Sequence, residues 1–181
     1  MGIYERLSKE EVKLVETSIN HLLGSNVFDI FVGKELIKII DRRTEIFLVP
    51  QEDLFLFDNF SSLLPEKSLI IAHARIKLGF FTHKKFLIGI ESLTFLAPFA
   101  RRRIQLDADN MKRFIFGKDV EINTISLQNQ VEYLDKDATT MVFSSTNIPL
   151  GYGRVISNGT KKWLQNLVDI GIFLRSEKSA F

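Results

Sequence analysis

Cysteine is absent from this 181-residue chain. Disulfides, thiolate nucleophiles and cysteine-held zinc or iron–sulfur centres are therefore excluded. Histidine is scarce, and His21, His73 and His83 form no pair at metal-ligand spacing, so no metal site is expected. No apolar run is long enough to cross a bilayer, and Met1-Gly2-Ile3-Tyr4-Glu5-Arg6 has no signal core. A soluble cytoplasmic protein with no membrane role is expected. Glycine does not recur as a phosphate loop needs: Gly151-Tyr152-Gly153 is followed by Arg154 and no further glycine at the required spacing. No serine stands in a Gly-x-Ser-x-Gly elbow. Asp107, after Ile104-Gln105-Leu106, reads as a turn residue at a strand end. No catalytic constellation survives, and a non-enzymatic protein without cofactor is expected.

What is present is ordinary globular material, 45% hydrophobic and 25% charged, with length enough to bury a real core as one large domain or two small ones. Phenylalanine stands out at 16 copies against one tryptophan. Most must lie in the core, although Phe55, Phe57, Phe60, Phe80 and Phe81 leave open an exposed patch for a protein partner. The net charge of +2 is unevenly spread. Residues 1–97 hold 12 Lys/Arg and 13 Asp/Glu, a balance of −1, whereas residues 98–181 hold 12 and 9, a balance of +3. The C-terminal part is the seat expected for an anionic partner.

Ser8-Lys9-Glu10-Glu11 is a capping box, and Val12, Val15, Ile19 and Leu22 follow at helical spacing until Gly24, which predicts a helix over 8–23. Strands are expected at 27–32, 36–40, 45–49, 69–78 and 86–90, with helices from Pro50 to about Leu64 and from Glu91 to Leu96. The turns are too short for parallel crossovers, so residues 1–97 read as an α+β domain, an antiparallel sheet with covering helices. Arg101-Arg102-Arg103 reads as a solvated connector. Beyond it, a strand at 103–106, a helix at 108–116 closed by Gly117, and short strands at 120–122, 130–133, 139–144, 150–156 and 170–175 suggest a small β-barrel of roughly 75 residues.

Two glycines in one β run leave a strand face bare, the mark of close backbone approach. If 149–156 is a strand, Leu150, Tyr152 and Arg154 share the opposite face. An aromatic beside an arginine can stack a base and pair a phosphate, but a core tyrosine beside a solvated arginine fits as well. Lys161 and Lys162 follow a turn later, with Trp163 expected as a packed anchor. The candidate RNA-binding residues are Lys161, Lys162, Arg154, Lys118, Lys112 and Arg113.

Phe95-Leu96-Ala97-Pro98-Phe99-Ala100, Phe114-Ile115-Phe116-Gly117-Lys118-Asp119-Val120, Ile148-Pro149-Leu150-Gly151-Tyr152-Gly153 and Asp169-Ile170-Gly171-Ile172-Phe173-Leu174-Arg175 stand in an order and spacing that resembles the Nip-seven ribosome-biogenesis family. The resemblance spans essentially the whole chain and is strongest from Phe86 onward. It implies a C-terminal PUA domain over 98–181, a small mixed β-pseudobarrel that binds RNA, in a factor for pre-ribosomal RNA maturation and large-subunit assembly. The chain is similar to archaeal members, which implies single-stranded uridine- or AU-rich RNA as ligand. It also implies other assembly factors as partners, among them the Shwachman-type protein and exosome-associated components. In those relatives a basic pair just before the last strand matches Lys161 and Lys162, while further basic positions are Gln165 and Val168 here. That loss of charge favours the alternative of a protein–protein adaptor with little RNA affinity of its own.

Overall fold

The computed structural model describes residues 3–24, 28–55, 76–83, 85–122, 137–158, 161–172 and 175. The chain folds as two compact units, Met1–Ile19 with Val27–Ser92 and Asn20–Asn26 with Leu93–Phe181.

The first unit is built on β1 (Ile3–Arg6), α1 (Lys9–Leu23), α2 (Phe28–Phe31), β2 (Lys34–Ile40), β3 (Thr44–Pro50), β4 (Ile76–Thr82) and β5 (Lys85–Ile88). The strands form one sheet in the order β1-β2-β3-β4-β5, antiparallel at every step. The capping box forms as its spacing requires: the Ser8 N–H donates to Glu11 Oε2 at 2.8 Å and the Glu11 N–H to Ser8 Oγ at 3.2 Å. Gly24, at φ 69°, stops α1 in the left-handed conformation. Lys38 on β2 lies 2.9 Å from Glu11 and 3.2 Å from Glu5. The hydrogen bond to Glu11 is the main reason the Lys38 pKa is raised. Partial burial alone would raise the Glu11 pKa, but the hydrogen bonds from Lys38 and Ser8 outweigh it and hold it below the ordinary value.

Three expectations for this unit change. The apolar run at 27–32 is not a strand: Phe28–Phe31 is a single helical turn, and Gly33 at φ 68° follows it. A short apolar run carries no period that separates strand from buried helix. Pro50 closes β3 and caps a 3₁₀ turn at Gln51–Asp53, with Leu54 and Phe55 helical after it; residues 56–64 of the helix expected to Leu64 lie outside the described residues. The strand expected to end at Leu78 continues to Thr82, turns through His83 at φ 51°, and pairs back from Lys85.

The second unit carries α3 (Leu93–Leu96), β6 (Arg103–Leu106), α4 (Ala108–Ile115), β7 (Val120–Ile122), β8 (Thr139–Ser144), β9 (Pro149–Asn158) and β10 (Lys161–Asp169). Its sheet runs β6-β8-β9-β10-β7 and is mixed, because β6 and β8 are parallel while the other pairs are antiparallel. The pseudobarrel core is Ile104, Leu106, Phe114, Val142, Val155 and Leu164. The expected strand at 130–133 lies outside the described residues.

This unit begins at Leu93, ahead of the expected start at 98, and takes in the end of α1. The arginine run explains the join. The Arg101 and Arg102 N–H groups donate to the Leu23 carbonyl at 2.9 and 3.3 Å, and the Arg102 side chain covers Gly24, where a Cβ would come within 2.6 Å of its Cγ. The Arg103 guanidinium sits 4.1 Å above the Phe143 ring. Arg102 and Arg103 are thus packed, not a solvated connector; only Arg101 is fully exposed.

Asp107 serves a helix, not a turn. Its Oδ1 caps α4 by accepting from the N–H groups of Asn110 (2.9 Å) and Asp109 (3.1 Å). The strand expected at 170–175 is replaced by a clamp. The sheet ends at Asp169, and Gly171 packs so close to the Ile115 carbonyl that no Cβ would fit. Arg175 reaches back to donate to both Asp169 oxygens at 3.0 Å and to the Ile115 carbonyl at the end of α4. The Asp-x-Gly-x-x-x-Arg spacing is therefore a C-terminal staple on α4, where a cation also suits the helix dipole.

Candidate nucleic-acid interface

The two strands that frame the site are β9 and β10. Gly151 and Gly153 fall on β9 where the partner strand crowds in: a Cβ on Gly151 would collide with the Val168 carbonyl, and one on Gly153 would lie 2.6 Å from the Gln165 carbonyl and 2.7 Å from Leu164 Cδ1. The glycines are scaffold for this close pairing.

A bulge between Val142 and Phe143 leaves Leu150 without a direct partner on β8. Leu150 joins the core cluster, while Tyr152 pairs with Met141 on the opposite face. The expectation that Leu150, Tyr152 and Arg154 share a face is therefore wrong for Leu150, because the bulge resets the alternation. Tyr152 is 8% exposed, and burial pushes its hydroxyl pKa up to about 12. It is a core residue and offers no stacking platform.

Lys161 and Lys162 open β10; they do not precede the last strand. Neighbours on a strand point to opposite sides, so the basic pair is divided. Lys162 pairs across with Ser157 and Ile122, on the side that carries Leu164, Val155 and α4. Lys161 is on the other side with Trp163 and Gln165. Across from Trp163 stand Ile156 on β9 and Glu121 on β7, and across from Gln165 stands Arg154. Lys161 and Arg154 are exposed and Trp163 is half-buried. Lys161 Nζ lies 2.9 Å from Glu121 Oε1.

Lys112 and Arg113 occupy the last turn of α4, and Lys118 follows Gly117, its N–H donating to the Arg113 carbonyl at 3.1 Å. All three are exposed, and the first two complement the helix dipole. The end of α4 and the loop after it are tied to β10 by Asn166, whose N–H donates to Asp119 Oδ1 (2.9 Å) and whose side-chain amide donates to the Phe114 carbonyl (2.6 Å). The six candidate cations thus form two groups on opposite sides of the sheet: Arg154 and Lys161 on one, and Lys112, Arg113, Lys118 and Lys162 on the α4 side.

On this face Glu121 is not among the residues expected from the sequence, Gln165 figures there only as a lost charge, and Trp163, expected as a packed anchor, is half-buried. A period of two over Lys161, Trp163 and Gln165 would have revealed the face. The core-facing set Lys162, Leu164 and Asn166 is two-thirds polar, so the stretch lacks the apolar alternation that marks a strand.

A family model described as the UPF0113 PUA domain matches residues 103–178. The chain is 26% identical to the "60S ribosome subunit biogenesis protein NIP7" of Saccharomyces cerevisiae, over 97% of this chain and 98% of that protein. It is 30% identical to the "60S ribosome subunit biogenesis protein NIP7 homolog" of Danio rerio, over 55% of this chain and 59% of that one. Two solved structures share the fold. A conserved PUA domain protein from Thermoplasma acidophilum matches with a TM-score of 0.55 at 13% identity, covering 96% of this chain and 99% of that one. A PUA domain from Aeropyrum pernix matches with a TM-score of 0.57 at 9% identity, covering 94% and 88%.

Proposed function

We propose that the chain, similar over nearly its whole length to a yeast NIP7 protein and matched by a PUA-domain model over residues 103–178, is a Nip-seven-type, non-enzymatic RNA-binding factor in large-subunit assembly. It holds single-stranded, uridine- or AU-rich pre-ribosomal RNA on the PUA domain, alongside other assembly factors such as the Shwachman-type protein and exosome-associated components. The observation that carries the reading is the open face of β9 and β10, where Arg154 and Lys161 flank Trp163. Cations that pair phosphates around an aromatic that stacks bases are the usual equipment for single-stranded RNA.

Salt dependence tests the reading. With about two phosphates neutralised, by Arg154 and Lys161, log affinity for uridine-rich RNA falls with log salt at a slope of roughly −1.4, since each single-strand contact contributes about −0.7. The double substitution Arg154→Ala and Lys161→Ala is expected to bring that slope close to zero in filter binding. A slope unchanged by the double substitution would remove these residues from the interface.

A second reading, a protein adaptor, has its own observation. Phe116 and Ile172 are 60% and 52% exposed near the end of α4 and the C-terminal staple, and large exposed apolar groups favour a protein contact. Absence of any RNA shift at low salt with micromolar protein favours that reading.

A further inference from the structure

Glu121 is an acid in the middle of a face otherwise equipped for an anion. It stands directly across from Trp163 on the edge strand β7, and its side chain keeps 34% of its surface exposed. Directly opposed residues bring their Cβ atoms to about 5 Å, so the carboxylate borders whatever lies on the indole. Lys161 occupies one position on Oε1. An ionised carboxylate has about four acceptor sites, so both oxygens retain capacity for a ligand.

We propose that Glu121 determines base specificity on this face by selecting guanine. This rests on the RNA-binding reading above and names the base that the site takes. A base stacked on Trp163 presents its Watson–Crick edge to Glu121. Guanine alone carries two adjacent donors there, N1–H and N2–H, which match the two oxygens of a carboxylate. Uridine offers one N–H between two carbonyl oxygens, and those oxygens repel the acid. Adenine and cytosine each set a single amino donor beside a ring-nitrogen acceptor. Gln165, next to Trp163 on the same face and opposite Arg154, supplies a neutral amide for the adjoining base, and Arg154 and Lys161 hold the phosphates. The face then reads a guanine within a uridine-rich strand.

The test compares a uridine nonamer with the same oligomer carrying one central guanosine, by fluorescence anisotropy on the full chain. The guanosine oligomer is expected to bind about fivefold tighter, at the low end of the discrimination a bidentate base contact provides. Glu121→Gln is expected to abolish the difference. Inosine in place of guanosine lacks the N2 amino group and is expected to bind like uridine, a control that changes no residue. Trp163 is the only tryptophan, and its emission is expected to quench more with the guanosine oligomer. Equal affinities in the unaltered protein overturn the proposal, as does the same ratio in the Glu121→Gln variant. Equal tightening of both oligomers by Glu121→Gln also overturns it, since Glu121 would then only screen Lys161. If neither oligomer binds, the RNA-binding reading itself falls and this inference with it.

Discussion

Gly151, Tyr152 and Asp169 show how fully packing can claim single residues on one pair of strands. At Gly151 the backbone of β10 is so close that any side chain must displace the Val168 carbonyl or Asp169 Cα. Gly151→Ala is therefore expected to cost about 1–3 kcal/mol, the usual range for overpacking, read as a lower urea midpoint without a change of slope. Tyr152 has the composition of an RNA-stacking residue and the surroundings of a core one, with Met141 across from it fully buried. Asp169 is 3% exposed and neutralised by Arg175 through two hydrogen bonds. The residues that carry the family resemblance most strongly, the two β9 glycines and the Asp169–Gly171–Arg175 staple, are thus structural. The residues with freedom to meet a ligand are less distinctive ones nearby.

At the scale of elements, local rules succeed where a side chain answers a backbone need within a few positions. The Ser8–Glu11 box and the stop at Gly24 set the ends of α1 because donor, acceptor and left-handed glycine are all local. β6, β7 and β8 likewise fall where the apolar runs place them. Helix α4 supplies a test of the same logic. Asp107→Ala is expected to cost about 1 kcal/mol through loss of the cap. The Asn110 N–H, foremost, holds the Asp107 carboxyl below its ordinary value of 3.8. A folded-state pKa below the unfolded one means that this contribution is complete above pH 3.8 and disappears as the pH falls through the lowered value. Urea unfolding at neutral and acid pH checks this: Asp107→Asn keeps a capping oxygen and is expected to lose the pH-dependent part alone. Local rules fail at 27–32 and 161–175. In the first, an apolar run too short to show a period folds as one helical turn. In the second, a polar stretch becomes the longest pairing of the sheet with β9, because backbone hydrogen bonds and bulges accept almost any side chain.

For the whole molecule the uneven charge matters most. The balance of −1 over residues 1–97 and +3 over residues 98–181 directs a polyanion toward the C-terminal part. Photocrosslinking with thiouridine-substituted RNA is expected to label peptides containing Arg154, Lys161 and Trp163 and to leave residues 1–97 unlabelled. Labelling mainly within 1–97 would place the interface elsewhere. The sequence by itself determined the two-part organisation, the α+β and β-pseudobarrel classes and the capped ends of α1, because composition, caps and turn residues act over short distances. Only the tertiary structure decided that Lys161 and Lys162 face opposite ways, that Tyr152 is buried, and that Glu121 and Gln165 join Arg154 and Trp163 on one face. Those facts depend on which strands pair and on the bulges at 142–143 and 166–168, since a shift of register by one residue moves every side chain to the other face.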